Sequence, residues 1–381
     1  MDEKNIKVEN NPPLSNVLVS LLNKKKPLII LIVLLLIITI ALLAVMFKSA
    51  QLKQGSKTPE QNTTVSPAVS SKTANDKKNK EIIKEAIAYI ESQRRPDGFY
   101  EYVAHYDEQC TLKDGKKDCP FNGTRMFETT NAWTALAHFA AYNALGDKSE
   151  LEKANRDLAK LIDWCAPDPK KCLWVLAQPA IIYQDTKDPK ILNFLKPQGL
   201  ALLSSAPSTD TMLVAIESRE LALLYEIFQD SKFLSASNNR LSLASRGLND
   251  QQNIYINTPI KFAEYSCWVA LANGELSVAT KNAEKKNNTL VFLENGKILQ
   301  NFSNFYNPIQ IQPCIETYSL IGSDVEAKNL LDKFILGFYD GKKEKLIYGE
   351  GGTVFQQKNN SKMIVLTDSA YTIFLLSNIY K

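Results

Sequence analysis

The chain has 381 residues, of which 45% are hydrophobic and 23% charged, with a formal net charge of +4. That length exceeds one small domain, although a helical ring of roughly 250–300 residues folds as a single unit. So small a basic excess, much of it near the N-terminus, gives no ground for a nucleic-acid partner.

Residues 1–27 read as a short cytoplasmic tail. Residues 28–47, Leu28 to Phe47, form an apolar run interrupted only by Thr39. It is long enough to cross the hydrocarbon core, which needs about 20 helical residues. A cleaved signal would be shorter and end in small residues, whereas this run ends Val45-Met46-Phe47-Lys48. The run therefore reads as a signal-anchor, one transmembrane helix of a single-pass protein in the cell membrane. Lys24, Lys25 and Lys26 favour a cytoplasmic N-terminus, but Lys48, Lys53 and Lys57 nearly balance them. The cysteines decide the orientation, because all six follow residue 100. An even number on one side suits disulfides in an oxidising, extracellular setting. Zinc is disfavoured by the long Cys110–Cys119 gap and the lack of a histidine at ligand spacing. Buried free thiols are the remaining alternative. Residues 48–80 are rich in Lys, Ser, Thr, Asn and Gln and are expected to be a flexible linker.

From residue 81 to residue 381 two kinds of helix alternate. The first is amphipathic, with Ile82, Ile83, Ala86, Ile87 and Ile90 on one face; Leu151, Ala154, Leu158, Leu161 and Ile162 repeat the pattern. The second is apolar nearly all round, as in Trp133 to Tyr142 and Met212 to Phe228, and so is expected to be buried on every side. Similar turns follow the apolar helices: Leu145-Gly146-Asp147-Lys148, Tyr183-Gln184-Asp185-Thr186, Phe228-Gln229-Asp230-Ser231 and Ile321-Gly322-Ser323-Asp324. Glycine stops one helix and Asp or Ser caps the next. Six outer helices are placed near 81–94, 148–164, 188–204, 231–246, 276–293 and 324–339. Six inner ones are placed near 128–145, 172–184, 210–229, 260–273, 312–322 and 366–380. Pro179, Pro189 and Pro197 make the second pair the weakest. The apolar last helix lacks a polar capping face, which favours a closed ring over an open solenoid.

This alternation resembles the (α/α)6 toroids shared by six-hairpin glycosidases, polysaccharide lyases, terpene cyclases and protein prenyltransferases. The stretch Gln93-Arg94-Arg95-Pro96-Asp97-Gly98-Phe99-Tyr100 looks like the Q-x-x-x-D-G-x-aromatic turn of the cyclase and prenyltransferase branch; Gly349-Glu350-Gly351-Gly352-Thr353 is a weaker echo. The expected fold is all-α: an (α/α)6 toroid of alternating outer and inner helices, preceded by one transmembrane helix and a flexible linker. The resemblance implies fold more than chemistry. No D-x-D-D run, zinc-prenyltransferase ligand set, G-x-S-x-G elbow or phosphate-binding glycine loop occurs.

The longer connections, 95–127, 247–259, 294–311 and 340–365, lead from outer to inner helices and must share one end of the ring, where function commonly resides. Cys110 with Cys119 and Cys165 with Cys172 would staple such connections, and Cys267 and Cys314 fall on neighbouring inner helices. Acids collect at the same rim: Glu128, Asp210, Glu264, Glu316 and Asp368. The similarity to six-hairpin glycosidases implies that one pair performs acid–base glycoside chemistry, with Glu128 and either Glu316 or Asp368 the first choice. Tyr100, His105, Tyr106, Trp133, Asp210, Glu264 and Tyr318 are candidate substrate-binding residues. Each acid can equally cap a helix or face its dipole, and each aromatic can be core. The polar stripe Glu217-Ser218-Arg219-Glu220 either faces a wet lumen or forms an internal ion pair. His138 reads as a hydrogen-bonded core residue. No cofactor or metal is expected. Two functions stay open: a carbohydrate-active, glycoside hydrolase-like protein acting on an extracellular glycan, and a non-catalytic extracellular binding or scaffold module for a glycan or surface protein.

Overall fold

A computed structural model describes residues 68–101, 103–106, 111–113, 116–118, 124–252, 259–296, 310–335, 354–356 and 362–380. The run Leu28–Phe47, Cys110, Cys119 and Gly349–Thr353 lie outside the described residues. Among those described, no helix is long and apolar enough to cross a membrane.

Six outer helices alternate with six inner ones. The outer helices are α1 (Ala68–Ser92), α3 (Lys148–Cys165), α5 (Pro189–Ser204), α7 (Ser231–Gln252), α9 (Ala283–Gly296) and α11 (Asp324–Leu330), the last continued by a π turn over Leu331–Ile335. The inner helices are α2 (Thr124–Leu145), α4 (Ala177–Thr186), α6 (Thr211–Phe228), α8 (Pro259–Thr280), α10 (Gln312–Leu320) and α12 (Leu366–Ile379). The burial follows the two sequence patterns. On α3 the buried apolar positions are Ala154, Leu158, Leu161 and Cys165, one face at helical spacing. On α12 every residue from Leu366 to Ser377 is buried.

Turn chemistry fixes the hairpins. Gly146 (φ 72) and Gly322 (φ 79) take the left-handed conformation that ends α2 and α10. Asp147 then accepts from the Ser149 N–H at 2.9 Å, and Asp230 from the Lys232 N–H at 2.9 Å. In the second hairpin the cap is Asp188, not Asp185, because α4 runs on to Thr186 and ends at Lys187. Pro179 and Pro189 sit in first turns, where no N–H is missed, so only Pro197 lies inside a helix.

Each inner helix packs on the next, and α12 packs back onto α2 and α1. The ring is closed. The seam is polar at both ends: the Thr130 and Thr367 hydroxyls are 3.1 Å apart, and the Ser377 hydroxyl donates to the Ala140 carbonyl at 2.9 Å. Those contacts join start to start and finish to finish, so α2 and α12 are parallel. The longer connections therefore enter the inner helices at one face, and the short turns leave at the other.

Among the described residues, five short strands, not expected from the sequence, lie in the connections. β1 (Val103–Tyr106) pairs antiparallel with β5 (Lys362–Val365), which also pairs with β4 (Val354–Gln356); β2 (Thr111–Lys113) and β3 (Lys116–Asp118) form a hairpin. The β1–β5 ladder ties the first long connection to the last. A second difference concerns the linker, since α1 begins at Ala68 and takes in residues 68–80. That stretch contains no glycine or proline to stop a helix, but it lacks the apolar stripe by which the rest of α1 is recognised.

Among the described residues two disulfides are formed, Cys165–Cys172 after α3 and Cys267–Cys314 between α8 and α10. Gly296 ends α9 directly against the second. A Cβ there would stand 2.6 Å from the Cys314 sulfur and 3.0 Å from that of Cys267.

Candidate active site inside the ring

Side chains three and four residues apart share a helix face, so each inner helix presents one stripe to the lumen. On α12 that stripe contains Asp368, Tyr371, Leu375 and Ile379. On α8 it contains Glu264, Trp268, Leu271, Glu275 and Val278. Leu375, Ile379, Glu275 and Val278 line an axial cavity at the short-turn face. Asp368 and Glu264 therefore belong to the same lumen at the long-connection face.

Arg219 crosses the ring between these levels. Its Nε lies 3.3 Å from Glu275 Oε1, and its Nη2 bonds Glu316 Oε1, whose other oxygen accepts from the Tyr371 hydroxyl. All four groups are buried. Burial alone would weaken the Arg219 charge, but Glu316 and Glu275 more than offset this and hold it protonated. Burial also raises Glu275, to about 7 against the pull of Arg219, and raises Glu316. The polar stripe on α6 thus has both of the readings left open. Arg219 faces inward. Glu217 pairs with Arg240 of α7 at 2.8 Å, and Glu220 accepts from the Leu176 N–H at 2.8 Å ahead of α4.

Above this layer lies Asp368, 1% exposed. Neither carboxylate oxygen has a hydrogen-bond partner among the described residues. Burial, reinforced by the charge of Glu264, pushes its carboxyl well above the usual range. Desolvation of this kind disfavours the ionised form of a carboxyl and favours the protonated one. Glu264 is half-buried and accepts from Gln310 Nε2 at 3.2 Å. Trp268 Nε1 and Gln310 Oε1 are also buried without partners among the described residues, as are Trp174 Nε1 and Gln178 Oε1 at the entrance of α4. Buried polar atoms normally find partners, and such a group of orphans marks where a polar occupant or water would sit. The glutamines escaped the sequence reading, and their position at the entrances of apolar helices, Gln178 in the first turn of α4 and Gln310 just ahead of α10, is the signal that could have found them.

The other expected site residues fall elsewhere. Glu128 accepts from Trp164 Nε1 of the outer helix α3 at 3.0 Å, beside the Phe99, Phe127 and Trp164 rings. Glu316 sits in the second turn of α10, committed to Arg219 and Tyr371. The structure therefore does not bring Glu128 and Glu316 together as a facing pair. Asp210 is the N-cap of α6, accepting from the Met212 and Leu213 N–H groups at 2.9 and 3.0 Å. Trp133 is 3% exposed and stacks on Tyr371 at 4.0 Å, and Tyr318 is buried. His105 and Tyr106 lie on β1, opposite Ile364 and Met363.

Tyr100 requires a correction. It is fully buried, and its one hydroxyl proton is shared between Glu91 at 2.9 Å and Asp157 at 3.0 Å, leaving nothing to offer a ligand. The turn around Gly98 (φ 87) drops this side chain between α1, α2 and α3. There it meets His138, whose Nδ1 is 2.6 Å from Glu150. Burial opposes a charge on His138, but hydrogen bonds to Glu150 and Glu91 outweigh it and raise its affinity for the proton. His138 is a core residue, as expected. Glu91, His138 and Asp157 could together offer three metal-ligand atoms, but Arg156 bonds both acids and Arg94 also bonds Asp157. The donor set is already satisfied by cations.

No family model and no curated protein matches the chain. Solved structures do. An unsaturated glucuronyl hydrolase from Streptococcus agalactiae aligns at a TM-score of 0.56 and 10% identity, covering 85% of this chain and 98% of the other. The Lin0763 protein of Listeria innocua aligns at 0.57 and 12%, covering 79% and 96%. A family 76 glycoside hydrolase from a bovine Bacteroides thetaiotaomicron strain aligns at 0.54 and 12%, covering 79% and 77%. The fold is the (α/α)6 toroid. At such identities the likeness concerns the toroid alone, and its chemistry has to be read from the residues inside the ring.

Proposed function

We propose that this toroid is a glycoside hydrolase-like enzyme whose site lies inside the long-connection face, with Asp368 as general acid and Glu264 as its carboxylate partner. The observation that carries this reading is Asp368: a buried carboxyl on the lumen stripe, without a hydrogen-bond partner among the described residues, pushed toward its protonated form and close enough to feel Glu264. A protonated Asp368 would deliver its proton to the leaving glycosidic oxygen as the C–O bond breaks. Ionised Glu264 would take a proton from the water that adds to the sugar carbon. The Trp174 and Trp268 indoles and Gln310 would meet sugar hydroxyls. Two structural neighbours are glycoside hydrolases by name, one of them an unsaturated glucuronyl hydrolase. Membrane tethering through Leu28–Phe47, with the toroid outside, is part of the same proposal and agrees with two formed disulfides.

The test is hydrolysis of unsaturated glucuronyl disaccharides and a panel of aryl glycosides by the wild-type chain and by Asp368→Asn. The variant should lose about 10²–10⁴-fold in kcat/KM, the range for a positioned acid. Its melting temperature should fall little, because burial already disfavours the charge that the amide removes. Wild-type binding on a glycan array without turnover would instead support the non-catalytic module, a reading favoured by the commitment of Glu128 and Asp210 to structural bonds.

A further inference from the structure

We propose that the ring carries a second ligand site at the short-turn face, an axial cavity that takes a small organic cation with a primary ammonium group. The cavity measures about 330 Å³. All six inner helices wall it, through Leu136, Ile181, Leu223, Val278, Ser319 and Phe374. That volume lies within the range of small-molecule sites, which combine apolar walls with a few convergent polar groups. The Arg219 layer closes it toward the long-connection face, so it is separate from the proposed hydrolytic site.

Its charge is lopsided. Asp185, Glu226, Glu275 and Glu316 contribute carboxylates, and no lysine, arginine or histidine is among the lining residues. Arg219, behind the wall, answers Glu275 and Glu316 only. Glu226 has a neutral partner, Gln184 Nε2 at 2.5 Å. Burial raises Glu226 and Glu275 above the ordinary carboxylate range, as expected where cations are too few. The polarity is also graded along the axis. Asn143 and Asp185 are exposed at the opening, Gln184 and Asn378 half-buried, and Glu275 and Glu316 buried at the floor. An ammonium entering past the rim amides would give Glu226 the positive partner it lacks among the described residues and Glu275 a second one beside Arg219, while its hydrocarbon body met Leu136, Leu223 and Phe374. A charge-assisted hydrogen bond is the stronger kind, and partial enclosure protects it from solvent.

Calorimetric titration of the full chain with 1,5-diaminopentane and glucosamine, beside neutral 1,5-pentanediol and N-acetylglucosamine, tests this. The amines should bind at one site per chain, at least tenfold tighter than their neutral matches, and weaken as salt is added. Glu226→Gln and Glu275→Gln should each loosen the amines about tenfold. Asp185→Asn, at the exposed rim where folding is not at stake, should do so more mildly. Failure of both amines to bind, or equal binding of the neutral compounds, overturns the proposal. So does binding indifferent to the Glu226 and Asp185 changes.

Discussion

Replacing Arg219 with methionine tests how the centre of the ring is held. The side chain spans the lumen from α6 to α8 and α10, and its loss leaves Glu275 and Glu316 buried without their cation. Breaking a buried pair by removing one partner costs about 3–5 kcal/mol. At about 2 °C per kcal/mol for a large domain, melting should fall by roughly 6–10 °C at pH 8. The deficit should shrink as pH falls. Both carboxyls are already raised by burial, Glu275 to about 7, and without the guanidinium they rise further. As pH falls below the Glu275 value, that carboxyl takes up its proton and no longer needs a countercharge, and Glu316 is shifted in the same direction, so the deficit at pH 5.5 should be clearly smaller than at pH 8. The triple variant Arg219→Met, Glu275→Gln, Glu316→Gln should recover most of the loss at pH 8, because no buried charge is stranded. Thermal melts of the wild type and both variants across pH 5–8 decide the matter. A deficit of the same size at every pH, or a triple variant no better than the single one, would refute the view of this layer as a charge-balanced bridge.

Three further predictions follow from other contacts. Glu275 is raised from 4.5 to about 7, so its contribution to stability is fully present below pH 4.5 and lost as pH rises through 7. At 1.36 kcal/mol per unit this is about 3 kcal/mol, and urea titrations should show Glu275→Gln flattening that decline. Replacing Cys267 and Cys314 by serine opens a link spanning 47 residues. The chain-entropy model gives about 4 kcal/mol for it, seen as a lower melting temperature that dithiothreitol reduces less than it reduces that of the wild type, since only Cys165–Cys172 of the two described links is left to open. Tyr100→Phe removes a hydroxyl whose one proton is shared between two carboxylates and should cost about 1.5–3 kcal/mol while leaving any glycan binding intact. Weakened glycan binding by the folded variant would return Tyr100 to the binding surface.

The helical plan was legible because two signals coincide in each hairpin. The apolar period changes from one-sided in α3 to all-round in α2 and α12, and Gly146-Asp147, Gln229-Asp230 and Gly322-Ser323 punctuate it. Even the Cys267–Cys314 pairing could be read, since the two residues fall on consecutive inner helices. The site was less legible. Glu128, Asp210, Glu264 and Asp368 all stand near the starts of apolar helices, and sequence alone treats them alike. What separates them is direction: Glu128 turns to Trp164, Asp210 to its own helix, Glu264 and Asp368 to the lumen. A shift of a single residue rotates a side chain by about 100° around the helix, and only packing fixes which way it points. Tyr100 misled for a related reason. An aromatic beside a glycine turn in a long connection looks like a platform, but Gly98 folds it inward. The strands went unseen because four residues are too few for alternation to register.

The ladder between β1 and β5, with α12 seated against α1 and α2, also governs how this molecule could change. A linear stack of hairpins can gain or lose a unit and still present the same two ends. A hoop cannot, because removing one hairpin would force a new curvature on every remaining interface. The number six is thereby locked, while the crossovers that enter the inner helices are free to lengthen, shorten or exchange. Variation in what the molecule recognises is channelled to a single face, and the opposite face, drawn tight by turns of two or three residues, inherits whatever is built into the helices themselves.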